Sequence, residues 1–468
     1  MEEQAFAKYY IDPISLGAED QAAPMPHLYK QMSVLRIQPE EGAYQTVRKT
    51  YTFINKNLDI ITNPCEAYLY CTATVANVTA GDVATTNSIG IPSNAGIIHG
   101  FSWDINDTTI STINDNLSST LYAVHNGVYS TGTTQLDHIG WTPEKGFITE
   151  GHHKQPGAVE IKIPLKSFVP ALQDNKTMWG VKTQLKIVFP NDLNDQLYKI
   201  DGTALGAASL VINTIELRMP YFKLENQKQL ELWSAMYSNT INKYWLDVDQ
   251  YFSQNIVNTA KTDNETFRVA VKGLNSRPRW LLLHAVDTSA NADNDEKHKP
   301  MGFGGNGSEA SITAAVDIQN SIRMKKIRIR LNGIYIDGGD VKEFTNVGAV
   351  ATPGNNGTNA TSAWRNHRGY IESYEEYSRF FGQYYDTRVS VKSFNEWLAE
   401  QLYVFDLTNI DAESIFSNSG NALIIEVEFS TYPGTSFAGS SFKFIANVMY
   451  DKQMTITHSD NKATLTIS

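Results

Sequence analysis

The sequence contains little that marks a disulfide-rich or membrane-spanning protein. Its 468 residues include two cysteines, Cys65 and Cys71. Six residues apart on a strand, they would face one side about 20 Å apart, too far for a disulfide, so we expect free thiols in a reducing compartment. No apolar run approaches 18 residues, and the N-terminal segment is acidic and lacks an apolar signal core. We therefore expect a protein that is made inside the cell and is not secreted through a signal peptide.

Charged residues are also scarce. They make up 19% of the chain, against roughly 25% in an average soluble protein, and the net charge is −11. A long chain with few charges indicates surface that is buried against other copies. Bulk binding to phosphate needs a basic face or tail, and the densest basic run, residues 323–330, alternates with apolar residues as one solvated strand face does. The sequence therefore predicts no strong direct nucleic-acid binding.

Motifs for catalysis, metals and cofactors are missing. The chain has no H-E-x-x-H, no cysteine and histidine cluster with zinc spacing and no G-x-S-x-G. His152 and His153 would point to opposite faces of a strand, which disfavours a shared metal. The glycine-rich run 302–307 lacks the preceding strand and following helix of a phosphate loop. We expect no enzyme activity, no catalytic residues, no metal and no cofactor.

Two groups of carboxylates lie near aromatic residues and leave a carbohydrate site open as an alternative. They are Glu372, Glu375 and Glu376 beside a run of tyrosines, and Asp104 and Asp107 beside Trp103. Paired carboxylates are the machinery of glycoside hydrolysis. The simpler interpretation is a solvated helix face for the first group. For the second it is a strand end and turn, because Asn106-Asp107 has turn chemistry.

Short strands separated by polar loops dominate the chain. The segments are rich in β-branched and aromatic residues, and several alternate between polar and apolar positions. The first half holds six of them: Tyr51–Ile54, Ala67–Val75, Ile97–Ile105, Val159–Ile163, Val181–Phe189 and Leu210–Met219. The second half holds six more: Phe267–Val271, Arg279–Val286, Ile327–Ile336, Gln401–Leu407, Leu423–Phe429 and Phe442–Met449. So many strands at short spacing predict an all-β sandwich or barrel.

Helical periodicity is confined to two stretches. Residues 225–252 place Leu230, Trp233, Tyr237 and Ile241 at helical spacing, which predicts a helical connector between two β domains.

The second stretch places five aromatic residues on one helical stripe: Tyr370, Tyr374, Tyr377, Phe381 and Tyr384. It predicts a helix packed on a sheet or on a neighbouring subunit. If Tyr374, Tyr377 and Phe381 form a subunit interface, replacing all three with serine should give a soluble monomer.

The two halves of the chain run in parallel order. Six elements recur at offsets between 214 (282 minus 68) and 242 (405 minus 163), among them Ile105-Asn106, echoed by Leu331-Asn332. This order predicts two copies of one β fold, and a jelly roll, with eight strands in two sheets and long end loops, suits it best. We expect an N-terminal arm at 1–30, a first jelly roll at 31–224, a helical linker at 225–260 and a second jelly roll with long loops at 261–468.

Four blocks of sequence carry a family resemblance. They are residues 160–168 with 179–187, residues 215–222, residues 327–336 and residues 402–407. In this order and spacing, over roughly residues 30 to 450, the chain resembles the double jelly-roll major capsid proteins of tailless icosahedral double-stranded DNA viruses. The nearest group is that of the polinton-like viruses, adintoviruses and virophages.

The resemblance implies a structural capsid protein. Such proteins form homotrimers that are pseudo-hexameric capsomers, and these assemble with neighbouring capsomers and penton or minor capsid proteins into a shell around a double-stranded DNA genome. It places the chain in the virion, with loops 291–311 and 347–362 facing outward or toward neighbours and the acidic N-terminal segment inside. An internal membrane is left open. The alternative is a two-domain β-sandwich that binds or cleaves carbohydrate; the internal echo and the lack of a signal peptide favour the capsid.

Overall fold

The computed structural model describes part of the chain in detail. The described residues are 10–11, 29–43, 45, 49–76, 89–90, 97–114, 157–172, 177–190, 193, 198–199, 209–224, 241–254, 256–257, 265–271, 278–287, 323–335, 342–343, 368–384, 397, 402–407, 423–432, 441–459 and 462–467. They are mostly strand, with one long helix.

Strands of the first half are numbered in chain order: β1 (Tyr10–Ile11), β2 (Tyr29–Ile37), β3 (Thr50–Asn55), β4 (Ile61–Thr62), β5 (Tyr68–Ala76), β6 (Ile89–Gly90), β7 (Gly100–Ile105), β8 (Thr108–Ile113), β9 (Gly157–Pro164), β10 (Thr177–Trp179), β11 (Thr183–Val188), β12 (Tyr198–Lys199) and β13 (Ser209–Leu224). Short 3-10 turns cover Pro64–Glu66, Leu165–Ser167 and Pro170–Leu172.

The second half contributes β14 (Ile241–Phe252), β15 (Ile256–Val257), β16 (Glu265–Val271), β17 (Pro278–Asp287), β18 (Arg323–Leu331), β19 (Ile334–Tyr335), β20 (Lys342–Glu343), helix α1 (Arg368–Tyr384), β21 (Tyr403–Asp406), β22 (Leu423–Tyr432), β23 (Ser441–Ser459) and β24 (Lys462–Ile467). Every strand segment predicted from the sequence overlaps one of these strands.

Each half forms two main antiparallel sheets with the same strand order, and the first half adds a small sheet of β6 and β12. In the first half one sheet contains β2-β13-β5-β9 and the other β3-β11-β7-β8. In the second half the corresponding sheets contain β14-β23-β17-β21 and β16-β22-β18-β19. Within each half, the eight strands of these two sheets can be numbered 1 to 8 in chain order. The strand order is then 1-8-3-6 in one sheet and 2-7-4-5 in the other, and it is the same in both halves. Two sheets connected in this way form a jelly roll, so the chain is two jelly rolls in tandem.

Alternating side chains on the facing sheets make the two cores. In the first roll, Leu185 and Ile187 of β11 face inward with Phe53 and Trp103 of the strands on either side. In the second roll, Ile425 and Val427 of β22 do the same beside Ile327 and Ile329 of β18. The period of two in these strands buries one face of each sheet, which is why the sequence pattern located them correctly.

The correspondence predicted between Asn106 and Asn332 is observed, because both residues occupy the same position in equivalent hairpin turns. Both residues open two-residue hairpin turns in the left-handed region of φ, at 48° for Asn106 and 47° for Asn332. The Asn106 N–H donates to the carbonyl of Lys182, and its Oδ1 accepts from the Lys182 N–H, both at 2.9 Å. Asn332 makes the same two bonds to Ile424, at 2.9 and 2.8 Å. Each asparagine therefore ties its hairpin to the neighbouring strand.

The predicted helical linker is wrong for residues 241–257. This segment forms β14 and β15, and β14 is the first main strand of the second roll, which therefore begins by residue 241 and not at 261. Lys243, Trp245 and Asp247 are buried while Tyr244 is exposed, so the burial has a period of two. Residues 225–240 lie outside the described residues.

Both cysteines are buried, and neither forms a disulfide. Cys71 lies on β5, and burial raises the pKa of its thiol. Cys65 lies in the 3-10 turn Pro64–Glu66, so the expectation that both cysteines share one strand is wrong.

Candidate assembly surfaces

Helix α1 spans the open side of the second roll between the edge strands of its two sheets. Lys342 of β20 forms an ion pair with Glu376 of the helix. On the other sheet, Asp406 of β21 lies 3.7 Å from the guanidinium of Arg379. Gly369 is packed so closely that an added Cβ would overlap the carbonyl oxygen of Glu343. The helix is therefore held to both sheets of its own roll.

The aromatic stripe of α1 contributes to the core of the second roll. Tyr377 and Phe381 are each 1% exposed, with ring centroids 4.8 Å apart. Tyr374 is half-buried and lies 5.8 Å from the ring of Trp397, whose indole N–H donates to the Leu402 carbonyl at 3.1 Å. Of the two packing partners predicted for the aromatic stripe, a sheet or a neighbouring subunit, these contacts show the first: α1 packs on its own roll. An interface made by Tyr374, Tyr377 and Phe381 stays a prediction.

The carboxylates considered for a carbohydrate site have structural partners. Asp104 accepts hydrogen bonds from Ser102 Oγ at 2.8 Å and from Gln184 Nε2 at 3.0 Å, and Asp107 pairs with Lys182. Trp103 is fully buried in the first core, so its ring offers no face to a sugar. The carbohydrate site considered at Asp104 and Asp107 therefore lacks an exposed aromatic ring on which a sugar could stack.

The second acidic group is placed on α1. Glu376 is engaged with Lys342, whereas Glu375 is exposed on the outer face of the helix. Over the described part of the chain, no group of three or more histidine, cysteine, aspartate or glutamate side chains is arranged to hold a metal ion. No described helix has the length and apolar character needed to cross a bilayer. His152, His153, the run 302–307 and the loops 291–311 and 347–362 lie outside the described residues.

Two arginines of the basic run on β18 pair with a glutamate of the strand beside it. Ile327 and Ile329 point into the core, while Arg328 and Arg330 lie on the outer face and both contact Glu428 of β22, the Arg330 pair at 2.9 Å. The Tyr335 ring stacks under both guanidinium groups, each 4.3 Å from its centroid. The predicted strand face is thus observed, with its arginines paired within the sheet.

A buried seam joins the two rolls. We call it the inter-roll seam, and it consists of Ile110 and Ser111 of β8 with Trp245, Asp247 and Lys452 of β14 and β23. Ser111 Oγ donates to Asp247 Oδ1 at 2.6 Å, and Lys452 Nζ lies 2.7 Å from Asp247 Oδ2. Lys452 Nζ also donates to the Ile110 carbonyl at 2.5 Å. One carboxylate and one ammonium therefore tie both rolls together.

The seam is formed because β14 and β23 extend beyond their own sandwich. Trp245 and Met454 on these strands pack into the core of the first roll, and the Lys452 ammonium lies 5.8 Å above the Trp245 ring. Tyr450 lies beside Asp247, and its pKa is raised by burial and by that carboxylate. The sequence does not reveal this seam, because the helical spacing within residues 225–252 predicts a helix where β14 is found. The alternation of Leu246, Asp247 and Val248 is typical of a strand, but it would place Asp247 on the solvent face, so the sequence carries no signal for the seam itself.

Solved structures with the same architecture come from viruses. A chain in the cryo-EM structure of the Sputnik virophage is 11% identical, with a TM-score of 0.51 over 94% of this chain and 89% of that one. The crystal structure of the mavirus major capsid protein is 9% identical, with a TM-score of 0.51 over 93% and 90%. A chain of the PBCV-1 virus capsid is 10% identical, with a TM-score of 0.50 over 94% and 98%. No family model and no curated protein matches the sequence.

The chain is a double jelly-roll protein. At 9–11% identity the likeness concerns the fold, and it extends over nearly the whole length of both partners in each comparison. The fold implied by the sequence resemblance, two jelly rolls in tandem, is confirmed.

Proposed function

We propose that this chain is a structural major capsid protein, without catalytic activity, that assembles as a homotrimer into an icosahedral shell around a double-stranded DNA genome. The observation that carries the proposal is the repeated jelly roll, which aligns with virion chains over 93–94% of this sequence. Three copies would supply six similar rolls, the number that a pseudo-hexameric capsomer needs.

The buried contact between the rolls supports this role. A shell subunit must present its contact surfaces at fixed angles, and the inter-roll seam holds the two rolls through a buried ion pair and the side chains of Trp245 and Met454. Such a seam differs from a mobile linker between independently acting domains.

The charge distribution also suits a shell that does not wrap DNA with its own residues. The net charge is −11, and Arg328 and Arg330 of β18, both partly buried, are paired with Glu428. The genome would then be neutralised by other components. The partners we propose are two further copies, neighbouring capsomers and penton or minor capsid proteins, all in the virion.

The experiment is to measure the mass and shape of the purified full-length chain. Three copies of 52.2 kDa give a particle of about 157 kDa, which light scattering on a sizing column would measure and negative-stain images would show as a hexagonal outline. Larger closed shells would support the proposal equally. A stable monomer of 52.2 kDa would contradict it, because shell subunits bury too much surface to remain alone.

A further inference from the structure

We propose that the first roll folds on the second. The second roll forms its core from its own residues, whereas the first roll is completed only when β14 and β23 of the second roll are in place. This order of folding is a property of a single chain, so it goes beyond the proposed function and holds for a monomer as well as for a trimer.

The core of the first roll contains side chains that belong to the second roll. Trp245 of β14 and Met454 of β23 are buried members of this core, and Ile467 of β24 packs against it. Met454 lies 230 residues beyond the end of β13 (454 minus 224), which is the last strand of the first roll. A core built mainly from the first half of the chain is therefore finished by residues from the second half.

The core of the second roll shows no such dependence among the described residues. Its described members lie between Val248 and Met449, and none of them comes from the first roll. The open side of this roll is closed by α1, whose Tyr377 and Phe381 belong to the same core. The second roll therefore keeps its described core when the first roll is unfolded.

The first roll loses part of its core when the second roll is unfolded. β14 lies against β8 and the 3-10 turn Pro170–Leu172, and Ile110 and Leu172 of these elements are buried in the first core. Removing Trp245 and Met454 exposes apolar side chains to water and takes away their packing partners, and both effects are unfavourable. The net stability of a domain is a small difference between large terms, so the first roll alone is left unstable.

This dependence agrees with the reciprocity of coupling. The contact between the rolls stabilises each of them by the same free energy when the other is folded. The rolls differ in what each retains without the contact, since the second roll exposes Trp245 and Met454 but keeps its own core. Three states of the chain are then populated: both rolls folded, the second roll folded alone, and both unfolded.

The predicted order is opposite to the usual one. Domains generally fold as they are synthesised, with the N-terminal domain first. Here the first roll reaches its native form only after β23 has been made and has paired with β14. The surfaces of the first roll therefore become native only on a chain whose second roll is already folded.

Pulse-labelling hydrogen exchange at increasing urea concentrations tests this order in the full-length protein. Peptides that contain β7 and β11 report on the first roll, and peptides that contain β18 and β22 report on the second. We expect the first roll to lose protection at a lower urea concentration than the second roll, with a range between them in which only the second roll is protected.

Two methionines on β23 give a matched pair of variants. Met454 is buried in the first core, and Met449, five residues earlier on the same strand, belongs to the second core. Met454→Ala should raise the ratio of unfolded to folded first roll by about tenfold or more at a fixed urea concentration, and should leave the midpoint of the second roll unchanged. Met449→Ala should lower the midpoint of the second roll.

A Met454→Ala protein whose first roll is unfolded without urea gives an equally clear result. Its β7 and β11 peptides should then be labelled at once, while its β18 and β22 peptides stay protected. Labelling of all four strands without urea would contradict the proposal, because the second roll would then have failed to fold alone.

Three further outcomes would overturn the proposed order: one transition shared by both rolls, loss of protection in the second roll first, or a Met454→Ala variant that lowers the midpoint of the second roll as Met449→Ala does. All proteins are compared at one concentration, and their mass is measured on the same samples. A monomeric wild type would overturn the proposed capsid function and leave the order of folding standing, because the labelling is read within one chain.

Discussion

Single residues fix the positions at which the strands turn and pair. Asn106 and Asn332 adopt a left-handed conformation that asparagine tolerates better than most residues, and each side chain imitates a backbone acceptor for the neighbouring strand. Asparagine is therefore selected twice for the same reason. The sequence supports this inference directly, because turn chemistry depends on two or three adjacent residues.

His284 gives a prediction at the same scale. Burial in the second roll lowers its pKa to about 3, from an ordinary value near 6.5. The folded state thus binds the proton more weakly than the unfolded chain does. Its neutral form stabilises the fold fully above about pH 6.5, and this contribution is lost as the pH falls toward 3. We expect a loss of up to about 3 kcal/mol between pH 7 and 4.5 from this group.

The measurement is urea unfolding of wild type and of His284→Gln at both pH values. Glutamine keeps a polar group at the site but does not titrate, so the variant should lose less stability on acidification than the wild type loses. Equal losses in the two proteins would show that His284 does not contribute to the acid sensitivity.

At the scale of elements, the same periodicity argument succeeded for one segment and failed for another. The aromatic spacing from Tyr370 to Tyr384 predicted α1, and the helix is observed. The segment around Trp245 forms a strand, because β14 pairs with β23 along its whole length and inserts Trp245 into the other roll. Pairing with a strand about 200 residues away outweighs a weak local preference.

Replacing Tyr374, Tyr377 and Phe381 with serine tests what the α1 stripe does. Tyr377 and Phe381 are buried in their own roll, and removing a buried aromatic side chain costs about 3–5 kcal/mol. We therefore expect the second roll to unfold, which near-ultraviolet circular dichroism and limited proteolysis would detect. The control is Ile371→Ser with Glu375→Ser, two exposed positions on the same helix. A folded, soluble monomer would instead support the subunit interface predicted from the sequence.

At the scale of the whole molecule, the inter-roll seam decides how two similar domains act as one unit. Asp247 is 3% exposed, and its two oxygens accept from Ser111 and from Lys452. A buried carboxylate is tolerated only with such partners, because its desolvation is costly. The seam therefore specifies one arrangement of the rolls.

Breaking the seam from one side should be costly. Lys452→Met leaves Asp247 buried without its cation, for which we expect a loss of about 3–5 kcal/mol in the free energy of unfolding. Lys452→Met combined with Asp247→Leu removes both charges and should recover part of that loss. Urea unfolding of the two variants, with small-angle X-ray scattering of the native proteins, measures stability and the arrangement of the rolls. A double variant that is less stable than Lys452→Met alone would contradict this account.

The sequence by itself determined most of the main strands, though not β2, β8 or β14. It also determined the paired hairpin turns, the aromatic helix and the duplication, since each follows from local alternation, turn chemistry or the order of elements. It also placed Tyr374, Tyr377 and Phe381 on one stripe, but it did not show that their own roll buries two of them. Only the tertiary structure decided that residues 241–252 are a strand and that Asp247 and Lys452 join the rolls. The reason is that both depend on pairing and burial between segments more than a hundred residues apart, and neighbouring residues carry no record of such contacts.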